Sequence, residues 1–287
     1  MAILFIIVNN KKMVKQILIA TDFSVSGNNA LRYGAQLAAH LDASIILAHA
    51  FSLPMGGYDS IAPLTVISEM QTYALDALKD LRRELQNDLN FKGDIQCVAK
   101  AGSSEGIIVE LVEERSINLV ILGISANAGG FKKHFLGSTV TDAIHELKVP
   151  VLVIPENTQY TLIETVMFAV DPTQYEDFSS FIIVRQFCEV LQAQLEILCV
   201  LPLTDDAIPA ETLKWHFANS LKEFPHTVKI VRSKNVADGL EHYVQTYNPD
   251  LVILHPHEQG LLSRLFETGI TARLVYSAKV PLLSFHL

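Results

Sequence analysis

The sequence contains few cysteines and few basic residues, and each shortage excludes a class of protein. Its three cysteines lack CxxC spacing, which argues against a disulfide framework or a thiolate metal site. Cys97, Cys188 and Cys199 are therefore predicted to be buried free thiols of a reducing compartment, in a cytoplasmic protein. The 22 basic residues are outnumbered by 31 acidic ones, for a net charge of -9. A protein with this negative charge lacks the basic surface that binds a phosphate backbone, so no nucleic-acid partner is expected.

The sequence also lacks a hydrophobic run long enough to cross a membrane, and no membrane partner is expected. Residues 1–8 are apolar, but a spanning helix needs ~20 apolar residues. This segment has neither a basic leader nor a small-residue cleavage site, so it does not resemble a signal peptide. Residues 1–12 are interpreted as an upstream extension or a misassigned start. The alternatives are a short extra strand or a membrane-touching anchor.

What the sequence does contain is an internal repeat. Residues 16–22 form a short apolar run that ends in an acid, and residues 165–171 repeat it. After each run, apolar residues at spacings of three and four indicate one buried helix face. The predicted face residues are Ala30, Leu31, Gly34, Leu37, Ala38 and Leu41 in the first copy, and Phe181, Val184, Phe187, Cys188 and Leu191 in the second.

Later segments recur as well, and together they predict the fold. The offset between the copies falls from 149 residues (Asp22 to Asp171) to 131 (Val149 to Val280), so the second copy is shorter, chiefly between its second and third strands. Each copy reads β-α-β-α-β-α-β-α-β with strands that are apolar on both faces. The sequence therefore predicts an α/β protein of two tandem, doubly wound, five-stranded parallel-sheet domains.

The repeat also sets the expected domain boundaries. Residues 1–12 precede it, residues 13–157 form the first domain and residues 158–287 form the second. The polar stretch 156–160 is predicted to be the linker. Prolines and glycines between residues 51 and 66 predict a long loop there.

A candidate ligand site lies at the strand ends of the first copy, where open α/β sheets bind ligands. Asp22 ends the first strand, Gly123 ends the fourth, and a glycine-rich stretch leads to a helix that begins near Ser138. Glycines let the backbone approach a phosphate, and a helix N-terminus favours an anion. Each feature also has a purely structural reading. Asp22 and Ser138 are equally suited to capping a helix, the Gly129-Gly130 pair is often only a turn, and Lys132 and Lys133 are often only solvated.

In combination these residues resemble the universal stress protein superfamily, in its tandem two-domain form. The segments that carry the resemblance are residues 17–24, 30–31, 102–103, 118–123, 130–138 and 149–154. It is strong in the first copy and weaker in the second. The resemblance implies an adenine nucleotide alpha hydrolase-like fold and a stress-response regulatory protein. Its first domain would bind ATP, or AMP or ADP, with Mg²⁺ at most accompanying the nucleotide.

The ATP-binding subclass of that family carries Gly-x2-Gly-x9-Gly-Ser/Thr, and this chain departs from it. Gly123 and Gly137 are 14 positions apart, one more than the motif allows, and the second glycine position falls near Ala126 or Asn127. Asparagine adopts left-handed backbone angles more readily than most residues, so Asn127 is expected to substitute. By resemblance, Asp22 would bind the adenine or ribose. The rest of the predicted nucleotide site consists of Gly123, Asn127, Gly130, Gly137, Ser138 and Thr139.

The second copy keeps Asp171 but loses the glycine pattern after its fourth strand. Pro256 has no N–H to donate, and Glu258 and Glu267 would repel a phosphate. His255 and His257 alone are too few for a metal site, and none is predicted. The nucleotide is therefore expected in the first domain only.

The leading functional prediction is a regulatory module without efficient catalysis. The chain carries neither the His-x-Gly-His or Ser-Gly-Gly-x-Asp-Ser loops of related ATP-using enzymes nor a P-loop. The alternatives are a ligand-free structural or interaction module of the same family, and a weak ATP hydrolase. Domains of this family generally dimerise through their last strand. Residues 151–154 are thus predicted to lie against residues 282–285, which would make one chain a pseudo-dimer, and further self-association remains compatible with this.

Overall fold

The computed structural model describes residues 14–53, 64–125, 138–171, 179–203, 209–255 and 279–286. The chain divides into two compact units. The first consists of Val14–Ile124 with Thr139–Tyr160, and the second is built on Thr161–Leu287. Residues 1–12, for which the sequence left several interpretations, lie outside the described residues.

The first unit alternates strands and helices throughout. Its elements are β1 (Gln16–Ala20), α1 (Val25–Leu41), β2 (Ser44–Phe51), α2 (Leu64–Asp88), β3 (Ile95–Ala101), α3 (Ser104–Glu114), β4 (Leu119–Ile124), α4 (Ser138–Glu146) and β5 (Val151–Pro155). The strands pair in parallel in the order β3-β2-β1-β4-β5. From β1 the chain adds β2 and β3 on one side of the sheet, and it then crosses to the other side of β1 to form β4 and β5. In such sheets the crevice where the order reverses is the usual ligand position.

The second unit repeats this topology. Its described elements are β6 (Thr165–Val170), α5 (Ser179–Leu191), β7 (Gln194–Pro202), α6 (Ala210–Ser220), β8 (His226–Ser233), α7 (Val236–Tyr247), β9 (Leu251–Leu254) and β10 (Leu282–Ser284). The parallel order is β10-β9-β6-β7-β8. The prediction of an α/β fold with a parallel sheet in each of two tandem repeats is confirmed.

The first helix of each unit buries the face that the sequence predicts. All six residues proposed for α1 are buried, as are all five proposed for α5. Both helices are followed by a residue with left-handed backbone angles, Asp42 at φ 51° and Gln192 at φ 56°. After each, a backbone N–H donates a hydrogen bond to a carbonyl of the last helical turn. Ala43 donates to Ala38 in the first unit, and Ala193 donates to Cys188 in the second. Such C-terminal turns satisfy carbonyls that the helix itself leaves unpaired.

One side chain before the fourth strand anchors the first strand in both units. The Asn118 Oδ1 atom accepts hydrogen bonds from the N–H groups of Lys15 (2.9 Å) and Gln16 (3.1 Å). The Asp250 Oδ2 atom accepts the corresponding bonds from Glu164 (3.0 Å) and Thr165 (2.9 Å). The repeat therefore extends to individual side-chain contacts.

The second unit is shorter where the sequence places the deletion. Ile45 pairs with Ile95, 50 positions later, whereas Leu195 pairs with His226, 31 positions later. The connecting helix α2 has 25 residues, and its counterpart α6 has 11. The loop predicted over residues 51–66 ends earlier than expected, because α2 already begins at Leu64. The rest of that predicted loop, residues 54–63, lies outside the described residues.

The cysteines are free thiols, as the sequence predicts, but only two of them are buried. Burial raises the pKa of the Cys188 and Cys199 thiols to about 12. Cys97 is half-buried, and its pKa is also raised, mainly by burial. No helix among the described residues is long and apolar enough to cross a membrane.

Candidate functional site

The carboxyl ends of β1 and β4 lie side by side in the first unit, and two of the predicted site residues meet there. The two strands pair up to Ala20 and Leu122, so Asp22 and Gly123 follow at the same edge of the sheet. The N-terminus of α1 packs against both. A Cβ atom on Gly123 would lie 2.3 Å from the Ser26 carbonyl oxygen, and one on Gly27 would lie 2.8 Å from the Asp22 Oδ1 atom.

A tight turn joins β1 to α1 and presents Asp22 to solvent. The Phe23 N–H donates to the Thr21 Oγ1 atom (3.0 Å), and the Ser24 N–H donates to the Asp22 Oδ1 atom (3.0 Å). Phe23 itself has a left-handed φ of 63°. This conformation costs about 1–3 kcal/mol for a non-glycine residue and occurs most often at functional sites. The Asp22 side chain is exposed.

Ser24, not Asp22, is the N-cap of α1. Its Oγ atom accepts a hydrogen bond from the Gly27 N–H at 3.1 Å. The capping role that the sequence left open for Asp22 therefore belongs to another residue. Asp22 retains an exposed carboxylate at the positive end of a helix, where an acidic side chain is favoured.

Gly123 has a structural role of its own. The atoms that a side chain would meet there are backbone atoms of Ser26 and Gly27, which cannot move without shifting α1. The absence of a side chain at position 123 is therefore required by helix packing, whether or not a ligand also approaches it.

His49 at the end of β2 belongs to the same cluster, although the sequence analysis did not select it. Its Nδ1 atom lies 2.8 Å from the Thr21 carbonyl oxygen. Because a carbonyl only accepts, Nδ1 must carry the proton, which leaves Nε2 as an acceptor in the neutral ring. The Phe23 ring packs on the imidazole with centroids 4.4 Å apart. A histidine inside the apolar run 43–50 gives no sequence signal of this contact.

A second part of the predicted site lies at the start of α4. Ser138 is the first residue of that helix and is exposed. The neighbouring Thr139 donates from its Oγ1 atom to the Glu105 Oε1 atom at 2.8 Å. Glu105 lies in the first turn of α3, which Ser103 caps, and it is a second residue that the sequence analysis missed. Residues 126–137, with the predicted Asn127, Gly130 and Gly137 and with Lys132 and Lys133, are outside the described residues.

The second unit differs at both matching positions. Asp171 is only 2% exposed, in contrast to the exposed Asp22. His255, which takes the place of Gly123, is 4% exposed, and its Nδ1 atom donates to the Phe285 carbonyl at 2.8 Å. Its ring also stacks on Phe285 with centroids 4.9 Å apart. Among the described residues, no group of three or more His, Cys, Asp or Glu side chains is placed to hold a metal ion.

The comparisons with known proteins agree with this fold. Residues 13–155 match the model of the universal stress protein family. A universal stress protein from Archaeoglobus fulgidus DSM 4304 has a similar structure, with a TM-score of 0.71 and 17% identity over 94% of this chain and 96% of its own. A functionally unknown protein from Pseudomonas aeruginosa PAO1 has a TM-score of 0.63 and 16% identity, covering 95% and 92%. No curated protein matches the chain.

Proposed function

The chain belongs to the universal stress protein family through residues 13–155, and we propose that it is a regulatory protein whose first unit binds one adenine nucleotide. The nucleotide is ATP or a related adenine nucleotide, and the protein does not turn it over efficiently. Nucleotide binding is proposed to change the conformation of the chain, and thereby its interactions with the partners through which it signals stress.

The observation that carries the proposal is the crevice between the ends of β1 and β4. An exposed carboxylate, a helix N-terminus and two positions without side chains meet there, at the point where the strand order reverses. A carboxylate accepts hydrogen bonds from ribose hydroxyls or from an exocyclic amino group. We propose that Asp22 does so, and that the phosphates extend toward the start of α4 near Ser138 and Thr139.

The second unit is proposed to bind no nucleotide. Its acidic residue Asp171 is buried, and the ring of His255 stands where the first unit has Gly123. Binding is therefore expected to saturate at one nucleotide per chain.

Replacing Asp22 with asparagine is expected to weaken adenine-nucleotide binding at least tenfold. The amide keeps an oxygen to accept the Ser24 N–H bond but removes the charge and one acceptor, and hydrogen bonds to charged groups contribute about 1.5–3 kcal/mol. Titration calorimetry with ATP, ADP and AMP measures this, with Asp94→Asn on the exposed surface of the same unit as the charge-matched control. Equal affinities for Asp22→Asn and wild type would remove Asp22 from the site. An absence of any binding to wild type would favour the ligand-free interaction module.

The last strands of the two repeats support a second proposal. Residues 151–154 and 282–285 are apolar apart from Ser284, and an uncovered apolar edge invites pairing. We propose that β5 pairs with β10 of the same chain. The strand edges through which separate domains would dimerise are then paired within one chain. A separately expressed fragment of residues 13–157 is then expected to self-associate, because its β5 edge is uncovered, and light scattering measures this. A strictly monomeric fragment would contradict the proposed pairing.

A further inference from the structure

His49 is held beside Asp22 by the residues on either side of that carboxylate. The Thr21 carbonyl accepts a hydrogen bond from the His49 Nδ1–H at 2.8 Å, and the Phe23 ring packs on the imidazole with centroids 4.4 Å apart. Because β1 and β2 pair in parallel along the whole length of β1, His49 and Asp22 lie at the same edge of the sheet. The fold itself therefore fixes the imidazole next to the proposed site.

The bond to Thr21 also decides what the other ring nitrogen of His49 can do. A carbonyl oxygen only accepts, so Nδ1 carries the proton, and Nε2 of the neutral ring keeps a free lone pair. Nε2 has no hydrogen-bond partner among the residues that the structure describes, and the His49 side chain is only half-buried. The cluster around Asp22 thus contains a fixed acceptor that a ligand can supply with a donor.

The purine bases differ in what they offer to such an acceptor. Adenine carries an amino group at its 6-position, whereas guanine and hypoxanthine carry a carbonyl there. An amino group donates to Nε2, but a carbonyl oxygen would face the lone pair of Nε2 with no hydrogen between them. A site that forms a hydrogen bond with a ligand N–H rejects the analogue that lacks it, because the polar group of the protein is then left unpaired.

We propose that His49 is a specificity-determining residue, whose Nε2 atom accepts a hydrogen bond from the amino group of adenine and makes the site prefer adenine over other purines. This rests on the proposed function, since it assigns a base preference to the same nucleotide site. Asp22 then binds the ribose, and the base lies on the β2 side of β1, beside the His49 ring. Neither residue takes part in bond making.

The test is titration calorimetry of the full chain with ATP and with purine riboside 5′-triphosphate, which lacks only the amino group of ATP. Slightly alkaline buffer is used, in which imidazole groups are uncharged. The ribose and the phosphates are common to both ligands, so their contacts cancel in the ratio of the two affinities. Wild type is expected to bind ATP at least tenfold more tightly than the analogue.

His49→Asn separates the two nitrogens of the ring. Its side-chain amide can still donate to the Thr21 carbonyl, but it has no atom in the place of Nε2. The preference for ATP over the analogue is therefore expected to fall below about threefold, through a loss of ATP affinity and with little change in the affinity for the analogue. If this variant fails to give a cooperative melting transition, His49→Ser, which also lacks Nε2, provides the same comparison.

His40→Asn is the matched control, because His40 is an exposed histidine in the last turn of α1, at the end away from Asp22. Its preference for ATP should equal that of wild type. Equal affinities of wild type for the two ligands, or a tenfold preference that persists without the His49 ring, would overturn this inference and leave the proposed nucleotide site in place. If neither ligand binds to wild type, the proposed function itself fails and the inference with it.

Discussion

Replacing Gly123 with alanine is expected to destabilise the first unit by about 3 kcal/mol, the upper part of the usual range for overpacking. The added Cβ atom would lie 2.3 Å from the Ser26 carbonyl oxygen and 2.6 Å from the Ser26 carbonyl carbon. These are backbone atoms of α1, so relief requires the helix to move away from β4. Urea denaturation followed by far-ultraviolet circular dichroism measures the loss.

Gly106→Ala is the control for this substitution. Gly106 lies in the first turn of α3, and its added Cβ atom would meet only the Ser103 Oγ atom, at 3.1 Å. A side-chain oxygen can shift by a few tenths of an ångström, and alanine is the better helix former, so the stability should stay within about 1 kcal/mol of wild type. If the two variants unfold at the same urea concentration, the close approach of α1 to β4 is not as the structure shows it.

Replacing Gly27 with alanine is expected to abolish nucleotide binding while leaving the first unit folded. Here the added Cβ atom would lie 2.8 Å from the Asp22 Oδ1 and Thr21 Oγ1 atoms, which are side-chain atoms. The turn would rearrange and move the Asp22 carboxylate, whereas the backbone of α1 has no need to shift. The gain of alanine over glycine in helix propensity, about 1 kcal/mol, offsets part of the strain. Binding is measured by calorimetry and stability by thermal denaturation.

Gly106→Ala is a close structural match for this variant as well. Gly27 and Gly106 are each the third residue of a helix, and each donates its N–H to the capping serine at 3.1 Å. The two substitutions therefore make the same local change, one beside Asp22 and one away from it. Wild-type affinity in Gly27→Ala, or an equal loss in both variants, would show that the Asp22 turn does not form the binding site.

Much of the fold follows from local patterns in the sequence. The spacing of apolar residues predicts the buried faces of α1 and α5 correctly, and the paired segments predict both the repeat and the place where the second copy is shorter. The loop before α2 was predicted to extend to residue 66, whereas α2 begins at Leu64. Boundaries are set by caps and packing, which composition does not resolve.

Only part of the candidate site could be predicted from the sequence. Asp22 and Gly123 could be selected because each follows an apolar strand pattern. In open α/β sheets, ligands bind in the crevice at the carboxyl ends of such strands. Thr21, Gly27, His49 and Glu105 carried no such signal. Ser24 was included only in the segment that resembles the family, and the capping role that it fills was left open for Asp22.

The sequence by itself determined the two α/β repeats, because burial of one helix face or of a whole strand imposes a periodicity that can be read within a few residues. Only the tertiary structure decided which polar groups meet. The Thr21 carbonyl reaches His49 because β1 and β2 pair, and Thr139 reaches Glu105 because two helix N-termini lie together. Gly123 must lack a side chain because of Ser26, a residue distant in the chain. Such contacts depend on how separate elements pack, and a single sequence carries no local pattern that records them.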